Sequence, residues 1–201
     1  MRETTAQTPN ESKTKLRRVL LSRRNNLSSR IRTTHDEAIR EHVFQLVKSR
    51  NANSIACYWP FNGEPDITPV YRQLLAAGHT LALPVISADV DQTMTFHSWR
   101  TDTVLASNKY GILEPQDSAS VPLSRVDLLI MPLVAYDRHG NRLGMGAGYY
   151  DRHLQALRDR QTPLRAGVAY SLQEIGLIDI NKWDIPLHGV VNEHGWFTFD
   201  E

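Results

Sequence analysis

The 201-residue chain is poor in the features that most quickly assign a protein to a class. It has one cysteine, Cys57, so an internal disulfide is excluded and a reducing compartment is the natural setting. Its longest apolar run, residues 128–135, is interrupted by Pro132 and falls far short of the roughly 20 residues needed to span a bilayer. Residues 1–11 contain no apolar core, so a secretory signal is not expected there and the cytoplasm is the expected location. Charge of one sign is also lacking. The 23 Lys and Arg against 22 Asp and Glu leave a net charge of +1, which removes any general electrostatic reason to expect nucleic acid or a membrane surface as a partner. Internal repeats, low-complexity tracts and linkers are absent, so one domain is expected over residues 12–201 behind a flexible tail of residues 1–11.

Local charge is less even. Residues 12–32 hold Lys13, Lys15, Arg17, Arg18, Arg23, Arg24, Arg30 and Arg32 without an acid. Such a run is either a solvated helix face or a surface that meets a polyanion, for which a nucleotide triphosphate and RNA are both candidates. Leu16, Val19, Leu20 and Leu27 recur at helical spacing, which predicts a helix with one apolar stripe. A second helix is predicted from Thr34, where Thr34 and Glu37 have capping-box spacing and Ile39, Val43, Leu46 and Val47 form an inner face. Thr68-Pro69 reads as a cap followed by the first residue of a third helix that Gly78 ends. A fourth is predicted over residues 149–160.

Strands are predicted at residues 54–59, 81–86, 94–99, 126–131, 165–170 and 189–192, with residues 196–199 as an edge. Residues 126–131 are the most apolar and belong at the centre. Residues 89–91 read as a turn and residues 108–116 as an irregular connection. Strands alternating with helices predict an α/β protein, a three-layer α/β/α arrangement with a mostly parallel, Rossmann-like sheet and N-terminal helices.

The densest chemical signal is residues 141–152, NRLGMGAGYYDR. Gly144, Gly146 and Gly148 alternate between a buried strand and a helix, where backbone without Cβ atoms turns tightly and approaches a ligand closely. Amide N–H groups there form a phosphate cradle, Arg142 adds a fork of donors, and Asp151 is placed to hold a magnesium ion. The third glycine comes too early for the dinucleotide fingerprint, and no Gly-Lys-Ser/Thr follows as a Walker loop requires. The eight histidines lack metal-ligand spacing, and Cys57, inside a strand, reads as a buried, inert thiol.

HGNRLGMGAGYYDR, preceded by DLLIMPLVAYD, resembles the signature of the 5-formyltetrahydrofolate cyclo-ligase family. KTKLR at residues 13–17, PFNGEPDITP at 60–69, LALPVI at 81–86, NKYGILEP at 108–115 and DIPLHGVVNE at 184–193 extend the resemblance over most of the chain in the family's order. It implies an ATP- and Mg²⁺-dependent ligase. ATP phosphorylates the formyl oxygen on N5, N10 closes on the activated carbon, and ADP and phosphate leave 5,10-methenyltetrahydrofolate. It places Lys13, Arg17, Arg142, Gly144, Gly146, Gly148 and Tyr150 on ATP, with Arg142 and Asp151 catalytic. Asp151 and Asp184 become the metal-linked carboxylates, and Trp59, Glu64, Tyr149 and Tyr150 line the folate site. The implied molecule works as a monomer or a weak homodimer, without nucleic-acid or membrane partners. Where some members carry basic residues in the glycine loop, this chain has Met145 and Ala147, which leaves the phosphate charge to Arg142, Lys13, Arg17 and the metal.

Overall fold

In a computed structural model, residues 9–87, 93–155 and 162–199 are described. Helix α1 (Pro9–Asn25) therefore takes in residues 9–11, which were expected in the tail; residues 1–8 lie outside the described residues. So do the turn expected at 89–91 and most of the predicted second half of the fourth helix.

Helix α2 (Ser29–Ser49) starts five residues before the predicted Thr34. Ser28 is the working cap, its Oγ accepting the Ile31 N–H at 3.3 Å. The Thr34/Glu37 pair lies inside a continuous helix, where the backbone N–H groups a cap would serve already have partners. Helix α3 (Thr68–Ala76) also departs from the expected cap. Ile67 occupies the cap position without a side-chain bond, and Asp66 Oδ1 accepts from the Thr68 N–H at 3.0 Å and Thr68 Oγ1 at 2.7 Å.

The strands are β1 (Ser54–Ala56), β2 (Thr80–Ile86), β3 (Met94–Trp99), β6 (Leu128–Pro132), β9 (Leu164–Val168), β10 (Gly189–Asn192) and β11 (Gly195–Thr198). They form one sheet in the order β11-β10-β9-β6-β1-β2-β3. The five inner strands run parallel, and β3 and β11 are antiparallel edges. The apolar segment expected at the centre is there, as β6. Two short ribbons complete the fold: β4 (Leu105–Ser107) with β5 (Leu113–Pro115), and β7 (Ala135–Tyr136) with β8 (Arg142–Leu143). The β4–β5 hairpin replaces much of the irregular connection expected at 108–116. Its three-residue arms are too short for a period-two pattern to stand out.

Successive side chains point to opposite faces of the sheet. Ile55, Leu81, Leu83, Leu128, Ile130, Ala166 and Val168 pack under α2 and α3, against Ile39, Val43, Leu46, Val47, Val70 and Leu74. Ala56, Ala82, Leu129, Met131 and Val190 face the other way, toward Leu123, Ile185, Leu187 and Leu154 of helix α4 (Tyr149–Leu154). The observed architecture is thus a mostly parallel sheet covered on both faces. No helix among the described residues is long and apolar enough to cross a membrane.

This strand order fixes where a ligand can sit. From β1 the chain moves outward one way to β2 and β3, whereas from β6 it moves the other way through β9 and β10. The carboxyl ends of β1 and β6 are therefore a switch point, where the loops leaving them diverge and open a crevice.

Candidate active site

A cavity of about 520 Å³ occupies that crevice. The segment after β1 lines it with Tyr58, Trp59, Phe61 and Glu64, and the segment after β6 with Leu133 and residues 142–151. The strand predicted to reach Trp59 ends at Ala56, where its chain leaves the ladder while the neighbouring β2 and β6 run on to Ile86 and Pro132. All twelve residues singled out in the sequence for ATP, metal, folate or catalysis line this one cavity.

The glycine loop is held from below by a buried carboxylate. Asp137, at the end of β7, accepts from the His139 N–H (2.9 Å), the Asn141 N–H (3.1 Å), Asn141 Nδ2 (3.0 Å) and the Ile178 N–H (2.9 Å). These bonds shape the turn that sends β8 back toward the cavity. Gly146 (φ +104°) and Gly148 (φ +71°) then adopt backbone conformations that side chains strongly disfavour, so glycine is required at both. Arg17 of α1 packs on the loop, donating from Nε to the Gly144 carbonyl at 2.9 Å.

Charges alternate along this side of the cavity. Arg142 Nη2 lies 2.6 Å from Asp151 Oδ1, and its guanidinium carbon 5.6 Å from the Tyr150 ring centroid. Arg142 Nε is buried and has no hydrogen-bond partner among the described residues. Lys13 Nζ lies 3.6 Å from Asp184 Oδ2, which also accepts from the Asn181 N–H at 2.8 Å. No group of three or more His, Cys, Asp or Glu suited to a metal is present among the described residues. Asp151 and Asp184, each facing one cation, nevertheless suit a hard divalent ion that takes one or two carboxylates and fills its remaining positions with water and phosphate oxygens.

The other side is aromatic with one carboxyl group. Glu64 Oε2 accepts the Phe61 N–H at 3.0 Å. Burial pushes the Glu64 carboxyl up to about 7, while the Arg24 guanidinium and the Phe61 N–H hold it down. Burial and the Glu64 charge likewise push the Tyr150 hydroxyl up, so it stays a neutral donor at physiological pH. Trp59 packs edge-on against Trp99 with ring centroids 6.5 Å apart, and Tyr149 reaches Tyr110 through their hydroxyls at 3.4 Å. Cys57 is buried and its thiol pushed up, consistent with an inert side chain.

Several lining residues escape a reading of the sequence. Asn108, Tyr110, Ile112 and Glu114 reach the cavity from the β4–β5 hairpin, where buried Glu114 accepts from the Ile86 N–H (3.0 Å) and Asn108 Nδ2 (2.6 Å). The glycine in NKYGILEP, at φ +82°, was the one local sign of a hairpin there. Exposed Trp183 joins from the segment beside Asp184, with no periodic signal to mark it.

Comparison with known proteins agrees with this architecture. The model of the 5-formyltetrahydrofolate cyclo-ligase family matches residues 9–193. The 5-formyltetrahydrofolate cyclo-ligase of Haemophilus influenzae is 32% identical over 84% of this chain and 90% of its own length. That of Escherichia coli K12 is 40% identical over 70% of this chain and 78% of its own. The NMR structure of Aquifex aeolicus 5,10-methenyltetrahydrofolate synthetase superposes with a TM-score of 0.80 at 32% identity, covering 94% of this chain and 93% of that one. The Mycoplasma pneumoniae 5,10-methenyltetrahydrofolate synthetase gives 0.73 at 26% identity, covering 90% and 98%.

Proposed function

Because this chain belongs to the 5-formyltetrahydrofolate cyclo-ligase family, a family of ligases, we propose that it closes 5-formyltetrahydrofolate to 5,10-methenyltetrahydrofolate with ATP as phosphoryl donor and Mg²⁺ as cofactor. The observation that carries the proposal is the meeting, in one switch-point cavity, of a cation-lined glycine loop with a half-buried carboxyl among aromatic rings.

In this reading the formyl oxygen attacks the γ-phosphorus and the bond to ADP breaks. N10 then attacks the activated formyl carbon, loses its proton, and phosphate departs with the former formyl oxygen. No protein nucleophile is needed, so the residues act by positioning and by offsetting charge. Lys13, Arg17 and the amides of residues 144–148 hold the phosphates. Arg142, kept in place by Asp151 and the Tyr150 ring, directs donors at the transferred group, and its Nε, without a partner among the described residues, is available for a further acceptor. Asp151 and Asp184 hold Mg²⁺, which when bound supplies positive charge to the phosphate oxygens. The pterin offers a flat ring with a donor-rich pyrimidine edge, which suits ionised Glu64 together with Trp59, Tyr149 and Tyr150. The enzyme so described is cytoplasmic.

The test is absorbance in the methenyl-folate band with purified protein, 5-formyltetrahydrofolate, Mg²⁺ and ATP. A rise that requires ATP and falls at least about 100-fold in rate with Asp151→Ala is the expected result. No rise while both substrates bind would replace the proposal with a non-catalytic binder.

A further inference from the structure

We infer that Arg24 is a positioning residue for the folate side of the site, its buried guanidinium locking the loop that carries Glu64 to the end of β6. The inference rests on the proposed reading of Glu64 as the pterin-binding carboxylate. Arg24 is 1% exposed. Nη2 donates to the Asn62 carbonyl at 2.7 Å and Nη1 to the Leu133 carbonyl at 3.1 Å. These two acceptors belong to the two segments that diverge from β1 and β6, so one side chain spans the switch point directly beneath the crevice.

Burying a guanidinium is costly unless it is paired and fully hydrogen-bonded. Arg24 falls short of that, because its Nε is buried and has no hydrogen-bond partner among the described residues. A core requirement alone would be met better by an apolar side chain of similar volume. What a cation supplies here is a fixed positive charge within reach of Glu64, one tie on its loop through the Asn62 carbonyl and one on the segment after β6 through the Leu133 carbonyl.

The surroundings reinforce those ties. Arg32 of α2 donates to the Gly63 carbonyl at 2.8 Å and to the Arg24 carbonyl at 2.7 Å, and Asn25 Nδ2 reaches Asn62 Oδ1 at 3.2 Å. Asn62 and Gly63 both sit at positive φ, a left-handed turn that Asn and Gly accommodate and that the two N-terminal helices hold. Lys13, Arg17, Leu20 and Arg24, spaced by four, three and four residues, share one face of α1. That face meets the glycine loop through Arg17 and the Glu64 loop through Arg24.

The charged and titratable groups that interact with Glu64 are Arg24 from α1, Tyr58 from the segment after β1, and Tyr150 from α4. Of these Arg24 is the cation, and it favours the ionised carboxyl that accepts from a pterin edge. Removing it moves the acid limit of folate binding to higher pH.

The experiment is calorimetric titration of the full chain with 5-formyltetrahydrofolate at several pH values, for wild type, Arg24→Gln, Glu64→Gln and the double variant. The expected result is binding about tenfold weaker in Arg24→Gln near neutral pH. Its acid limit should move up by about one pH unit, and the effect should vanish in the Glu64→Gln background. Arg24→Lys, which keeps the charge but cannot bridge both carbonyls, should retain the wild-type acid limit. It also serves in place of Arg24→Gln if that variant does not fold, and should then bind more weakly than wild type. Wild-type affinity at every pH in the variant tested would overturn the inference. So would an equal loss with and without Glu64, which would make Arg24 a structural support only. Because binding is measured without turnover, failure of the proposed reaction shows separately, in the absorbance assay.

Discussion

Helices α1 and α2 follow one another in the chain and have similar lengths, yet their inward faces meet different surroundings. Helix α2 presses Ile39, Val43, Leu46 and Val47 into the main core beneath the sheet. Helix α1 presents Lys13 and Arg17 to the cavity and buries Leu20 and Arg24, while Val19, part of its predicted apolar stripe, is 38% exposed. Hydrophobic periodicity finds the face a helix turns to the core. On α1 and just past its end it finds Leu16, Leu20 and Leu27, which pack into apolar clusters, but passes over the polar part of the inward face, because the residues that matter there are charged.

The most forceful way to test that contrast is Ile39→Ala. Deleting most of a buried side chain from α2 should cost about 2–5 kcal/mol of stability by chemical denaturation, with activity per folded molecule unchanged. An activity loss out of proportion to unfolding would place α2 in the site and break the comparison.

A second test concerns the carboxyl that α1 faces through Arg24. The Glu64 carboxyl is raised from 4.5 to about 7 in the folded protein. Below pH 4.5 it is neutral in both folded and unfolded chains. Between pH 4.5 and 7 the unfolded chain releases this proton and the folded one retains it, so the group's contribution to stability falls as pH rises and levels off above 7. Relative to Glu64→Gln, the wild type should lose on the order of 3 kcal/mol across that window. Parallel stability–pH curves for the two proteins would show that Glu64 is not held in an apolar setting.

The smallest expected change in stability sharpens the comparison most. Arg17→Ala removes a half-buried cation from α1 and its bond to the Gly144 carbonyl. We expect the KM for ATP to rise about tenfold or more, with stability shifted by about 1 kcal/mol or less. A large stability loss with unchanged KM would make α1 an ordinary structural helix.

Much of the fold could be read locally. The apolar segment that became β6, the strand at 189–192 and the edge at β11 each carry their pattern within a few residues. The β4–β5 hairpin and the true start of α2 could not. A three-residue arm has no period to detect, and Ser28 competes with other capping residues until the path of the chain decides between them. In the site, the glycine spacing, Arg142 and Asp151 lie within ten residues and form a visible motif. The pairing of Lys13 with Asp184 and the reach of Arg24 to Leu133 join residues far apart in the chain, and nothing local announces them.

By itself the sequence determined the class of fold, the central strand and the segments that could contribute chemistry, because burial and turn formation act over short stretches. Its likeness to a known family added the roles those segments were expected to fill. Only the tertiary structure decided that these segments meet, through a strand order that reverses between β1 and β6 and opens one crevice there. It also decided which cation faces which carboxylate, since a charge interacts with whatever the fold brings near it, whatever the separation along the chain.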